Sequence, residues 1–184
     1  MTITQAAAPG PTGSPLAPSR ERSGGRAGLD FGAGPLELLG LVQHYVESLA
    51  DVLPRASHDL SARSYELLEL TDDLEIWAIH WPKDQGLELH DHGGSSGALW
   101  VVDGALEEHS LGRGGGLIHR TLEVGGGSAF GPSHIHDVVN IGDVPATSVH
   151  VYSPPMASMT FYRQEGPGLV VERAEHRADP AWAP

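Results

Sequence analysis

A chain of 184 residues with 40% hydrophobic content is long enough for one domain with a real core and short for two. Its formal charge of -13 comes without any cluster of Lys or Arg, which argues against nucleic acid and anionic membrane surfaces as partners. With no cysteine there is no disulfide framework, thiolate zinc site or cysteine nucleophile, so any metal must be held by His, Asp or Glu.

Residues 1–34 are rich in Pro, Gly, Ala and Ser and hold almost no large apolar side chains. Such a stretch buries too little surface to offset its ordering entropy, and disorder is expected there. "PLELLGLVQHYVESLADVLP" (35–54) follows a helical period through Leu36, Leu39, Val42, Tyr45, Val46, Leu49 and Val52, with Pro35 suited to a helix start and Pro54 to a stop. A second short helix is expected over about 59–69, "DLSARSYELLE".

From Leu74 the pattern changes to short runs punctuated by Gly, Pro and Asp. "LEIWAIHW" (74–81), "GLELH" (86–90), "GALWVVDG" (97–104), "ALEEHSL" (105–111) and "LIHRTLEV" (117–124) come first. "SAFG" (128–131), "DVVNIG" (137–142), "TSVHVYS" (147–153) and "MTFYR" (159–163) follow. Evenly spaced strands with no helical pattern between them indicate an all-β antiparallel sandwich or barrel. One domain is expected over 35–172, and a loose tail over 173–184. No apolar run is long enough to span a membrane and the first residues lack a leader pattern, so a soluble cytoplasmic protein is expected.

Eleven histidines against eleven Lys plus Arg make a high share. His90 and His92 are two apart, which on a strand puts both rings on one face and Asp91 on the other. That is half of a metal site, or two polar residues at a strand end; the pair alone does not decide. Further on, "SHIHDVVN" holds His136 with Asn140 four residues later. In "SVHVYSPP", Ser148, His150 and Tyr152 alternate, so three hydrogen-bonding side chains share one face while Val149 and Val151 take the other. Inside a barrel that face is costly unless its groups serve one another or a ligand.

An HxH strand, a glycine turn and a later His-x-x-x-Asn strand resemble the two motifs of the cupin barrel, and residues about 36–163 resemble the cysteine dioxygenase family of thiol dioxygenases. "HDHGGSSGA" (90–98) is similar to the family's first metal motif, "HDVVN" to its second and "SVHVYSPP" to its C-terminal signature. The resemblance implies a cupin barrel with a short helical N-terminal cap, and Fe(2+) held by His90, His92 and His136. It implies Tyr152, His150 and Ser148 as catalytic residues, and a small thiol and O2 as substrates converted to a sulfinic acid. Family members are often monomers, and a monomer is expected. Imidazole ligands also suit zinc, copper or nickel, so ligand type does not pick iron, and a non-redox metal-binding cupin (an isomerase or a ligand-sensing module) stays open.

The usual cupin motif has a glutamate after its second histidine; its positions here are Ser96 and Gly97, so the acidic ligand is absent, as the three-histidine set the resemblance implies requires. The chain departs from the family at three places. Animal members have at Gly97 a cysteine crosslinked to the tyrosine; bacterial members commonly have glycine. The family's carboxylate-binding arginine lies shortly after a tyrosine, and next to Tyr65 the matching position falls on Leu67. A two-residue shift of the alignment brings Arg63 there instead. A missing arginine admits a cationic sulfur compound such as ergothioneine, with Arg163 as an alternative charge. His134, two before His136, is read as a group supporting a ligand or contacting substrate. His44, His58, His80, His109, His119 and His176 lie outside both motifs and receive no role.

Overall fold

The computed structural model describes residues 33–49, 53, 61–112, 115–166, 168–179 and 182. The segment expected to be disordered lies outside them apart from Ala33 and Gly34, and the backbone N–H of Ala33 donates to Ser153 Oγ at 3.2 Å.

The helix α1 spans Pro35–Ser48, with Pro35 in its first turn and the Glu37 carboxylate accepting the Gly34 N–H. It stops short of the expected Pro54; residues 50–52 and 54–60 lie outside the described part. Eleven strands follow among the described residues. They are β1 (Ser64–Leu70), β2 (Glu75–Trp81), β3 (Gly86–His90), β4 (Ser96–Asp103), β5 (Ala105–Leu111) and β6 (Leu117–Glu123). The rest are β7 (Gly127–Phe130), β8 (His136–Val139), β9 (Ala146–Ser153), β10 (Ser158–Glu165) and β11 (Gly168–His176). They form two antiparallel sheets, ordered β1-β2-β9-β4-β7 and β11-β10-β3-β8-β5-β6.

Two expectations are corrected. The second helix is a strand over Ser64–Leu70: its apolar residues pair with β2, Tyr65 opposite Ile79 and Leu67 opposite Trp77, so the sheet edge outweighs a weak helical preference. The loose tail from 173 is ordered to at least His176 in β11, and beyond it Arg177 pairs with the buried Glu75 while Trp182 packs on the core.

Side-chain alternation divides the core in two. Trp77, Ile79, Trp81, Leu99, Val101, Leu106, Phe130 and Phe161 fill the space between the sheets. On the other face of the first sheet, Ile76, Ala98, Val149 and Val151 pack under the α1 stripe Leu38, Val42 and Val46. β9 is thereby buried on both faces. The helical cap takes its valines, leaving Ser148, His150 and Tyr152 to face the barrel interior.

Candidate metal centre

His90 ends β3 and lies directly opposite His136 of β8 across the ladder, so strand pairing itself brings the two rings to 4.9 Å. His92 follows in the turn after β3, 4.9 Å from His90 and 5.0 Å from His136 between ring centroids. Gly93 makes that turn possible. Its φ is +60°, and a Cβ there would meet the Ser158 carbonyl oxygen at 2.5 Å. Asp91 points the other way, accepting the Gly93 N–H at 2.9 Å and the Tyr162 hydroxyl at 2.6 Å.

One donor atom from each of His90, His92 and His136 lies within 4.8 Å of the others, and all three residues are buried. The free nitrogens fit a metal. His90 Nδ1 donates to the Glu88 carbonyl at 2.8 Å and His136 Nδ1 to Glu108 Oε1 at 2.7 Å, which leaves each Nε2 as a lone-pair donor. Both ring nitrogens of His92 are buried without a hydrogen-bond partner, which an apolar packing role does not account for. Burial, and then the other histidines of the cluster, push His90 and His92 well below the usual imidazole range. Burial lowers His136 as well, so the site presents neutral imidazoles, the form that binds metal. Burial opposes the charge of Glu108, but contacts from His134, His136 and Ser128 outweigh it and hold the carboxylate ionised.

Phe130 of β7 stacks on His92 at 4.5 Å and 18°. A Cβ at Gly97 would meet Phe130 Cε2 at 2.5 Å and Tyr152 Cδ1 at 3.0 Å, so Phe130 fills the space that a side chain at position 97 would need. The centre is walled by an aromatic ring on that side.

On β9 a hydrogen-bond chain runs toward the histidines. Trp81 Nε1 donates to Ser148 Oγ at 2.9 Å, Ser148 Oγ meets His150 Nε2 at 2.8 Å, and His150 Nδ1 meets Tyr152 Oη at 3.1 Å. Trp can only donate, so Ser148 accepts from it and passes its own proton to His150 Nε2. His150 then carries its proton on Nδ1 and donates to Tyr152, whose O–H remains to donate onward. The reverse polarity would leave the buried Ser148 proton without an acceptor among the described contacts. Burial lowers His150 to about 3 and raises Tyr152 above the usual phenol range, so both stay neutral. The Tyr152 ring is 5.2 Å from that of His92.

Of the residues considered for substrate contact, Arg63 rather than Leu67 brings a cation to this centre. It directly precedes β1, half-buried, with its guanidinium carbon 5.5 Å from the Trp81 ring and 6.0 Å from the Tyr65 ring. Its charge is close enough to help depress His90 and His150 and to oppose part of the rise of Tyr152. Tyr65 stands edge-on to Trp77 at 6.1 Å, half-exposed, and Leu67 is half-exposed opposite Trp77. Arg163 is not brought to the histidines: it is exposed at the end of β10 and pairs with Glu165 at 3.4 Å and Glu172 at 3.2 Å. His134 stacks on Phe130 at 5.1 Å, its Nε2 buried without a hydrogen-bond partner and 3.6 Å from Glu108 Oε1.

The sequence reading passed over Glu108 and the part Trp81 plays. Glu108 follows Glu107 in an ordinary strand and carries no motif; only its register, two residues from the partner of His136, marks it. Asn140 is a structural residue, donating to the carbonyls of Trp81 and Val144 and accepting the Gly142 N–H.

Two antiparallel sheets closed around a three-histidine centre define a metal-dependent cupin. Residues 39–165 match the family described as cysteine dioxygenase type I, and over that majority of its length the chain belongs to this family. Similar solved structures include an oxalate oxidase, 15% identical over 60% of this chain and 60% of that one, with a TM-score of 0.50. A Klebsiella pneumoniae protein with a double-stranded β-helix domain is 22% identical over 65% of this chain and 90% of that one, with a TM-score of 0.47. A Lactobacillus farciminis oxalate decarboxylase is 17% identical over 58% of this chain and 33% of its own, with a TM-score of 0.49. The oxalate oxidase likeness speaks to the cupin fold alone. No helix among the described residues is long and apolar enough to cross a membrane.

Proposed function

We propose that the protein is an Fe(II)-dependent dioxygenase of a small thiol that carries a carboxylate, cysteine or 3-mercaptopropionate. The reaction is R–S⁻ + O2 → R–SO2⁻: two S–O bonds form, the O–O bond breaks, and the four electrons that reduce O2 come from sulfur. No further reductant is needed.

The observation that carries this reading is the three neutral histidines and the Tyr152 chain sharing one interior. His90, His92 and His136 are the proposed ligands. A ferrous ion held by three neutral imidazoles supplies open positions and keeps a net positive charge, which suits an anionic thiolate and dioxygen. Arg63 pairs with the substrate carboxylate, with the Tyr65 ring 6.0 Å from its guanidinium carbon. With a cation available there, the ground for an ergothioneine-like substrate weakens. Tyr152 donates its remaining proton to charge developing on oxygen. The Trp81–Ser148–His150 chain keeps that phenol neutral and aimed. Phe130 excludes water beside His92.

The test is O2 consumption by the Fe(II)-loaded protein with cysteine, 3-mercaptopropionate, cysteamine and ergothioneine, with product mass read for a gain of two oxygens. Uptake with the two carboxylate thiols and not with cysteamine is expected, and Arg63→Ala should lower kcat/KM for them by about 10- to 100-fold, the loss of a charged hydrogen bond. Cysteamine turnover equal to that of cysteine would remove Arg63 from the reading. No uptake from any thiol with iron confirmed in the site would favour the non-redox cupin.

A further inference from the structure

The outer surface of the second sheet repeats the ligand arrangement of its inner surface. His119 of β6 is the register partner of His109 of β5, and His109 is the partner of Asp137 of β8, so three side chains form a row across three strands. Glu107, two residues before His109, projects on the same face. Donor atoms of Glu107, His109 and His119 lie within 4.8 Å of one another, and the two rings are 4.2 Å apart.

The pairing of nitrogens gives this cluster a direction. Asp137 Oδ1 sits 2.7 Å from His109 Nδ1, as Glu108 Oε1 sits 2.7 Å from His136 Nδ1 on the inner face. On the inner face the carboxylate takes the Nδ1 proton, the arrangement that orients a metal-ligating histidine; on the outer face Asp137 Oδ1 stands beside His109 Nδ1 as an ion-pair contact without a hydrogen bond, and Nε2 faces the other donors. His109 Nε2 is 2.5 Å from Glu107 Oε1, and His119 Nδ1 is 3.6 Å from that same oxygen. Two imidazoles and a carboxylate suit zinc, nickel or cobalt in their divalent state. The Glu107–His109 contact must open to about 3.3 Å for both to sit at tetrahedral bond lengths. Glu107 and His119 are accessible enough to make that adjustment.

We propose that the outer face of β5, β6 and β8 carries a second metal site, for a divalent ion of the zinc class, held by His109, His119 and Glu107 and oriented by Asp137. It is independent of the proposed oxygenation chemistry, and one position of the fold open to water completes its coordination.

The experiment counts bound metal on the full-length protein after Zn(II) is added at micromolar levels, unbound ion being removed by gel filtration. Two equivalents are expected in the wild type. One is expected in His119→Ala, whose side chain is exposed and whose removal leaves the core intact. One is also expected in His92→Ala, now at the outer site, and none in the double variant. Asp137→Asn should weaken the outer equivalent by about 10- to 100-fold, as loss of an orienting carboxylate does. A metal count that His119→Ala does not lower overturns the proposal and leaves the cluster as side-chain pairing of His109 with Glu107 and Asp137.

Discussion

Two groups of histidine and carboxylate lie back to back across β5 and β8. The inner one pairs His136 with Glu108, whose side chains are 2% and 5% exposed; in the outer one His119 is 59% exposed. Composition does not separate them. What separates them is which pleat each residue occupies, because a one-residue step moves a side chain from the barrel interior to solvent. Inside, burial keeps the imidazoles neutral and leaves both ring nitrogens of His92 without a hydrogen-bond partner, so the donors are preorganised for a metal. Outside, the same residue types satisfy one another across water-accessible distances, and a metal there must displace existing contacts.

The largest effect that would break this contrast is at the inner centre. His92→Ala should abolish iron binding by the three-histidine site and bring thiol oxidation to background; full iron occupancy measured in that variant would count against the ligand set. Tyr152→Phe should keep iron and fold yet lower kcat by about 100-fold, the cost of one preorganised donor to developing oxygen charge. Unchanged kcat in that variant, with iron content equal to wild type, would take the β9 chain out of the chemistry.

Glu108→Gln comes next, and it sharpens the comparison by touching the inner carboxylate alone. Iron affinity should fall by about 10- to 100-fold, read by competition with a chelator of known strength. Gly97→Ala should destabilise the fold by about 1–3 kcal/mol, since its Cβ would press on Phe130 and Tyr152, and a lowered melting temperature is the readout. The smallest effect belongs to Arg163→Ala. The residue lies in exposed ion pairs, and stability should change by less than about 1 kcal/mol with substrate affinity unaltered.

Much of the centre was legible because its spacing is physical. HxH on a strand end, His-x-x-x-Asn, and three polar residues alternating with valines each state which side chains share a face. Glu108 was not legible, since its role depends on β5 pairing with β8 across 28 residues of chain. Arg63 was visible only as a shift in alignment. Reading 59–69 as a helix obscured the strand that carries it to the Trp81 side of the barrel, and an edge strand with alternating Tyr65 and Leu67 has too few residues to declare its period.

By itself, then, the sequence determined the strand-rich fold and which side chains share the His-x-His and Ser-His-Tyr faces, because local alternation is written in consecutive positions; His136 as a third candidate ligand came from the family resemblance. Tertiary structure alone decided that His90 and His136 meet as ladder partners and that Phe130 takes the room beside Gly97. It also decided that Arg63 lies over the Trp81 and Tyr65 rings and that Glu107 and Glu108 face opposite sides of the sheet. Each of these depends on register between strands far apart in the chain, and register is set by packing of the whole core.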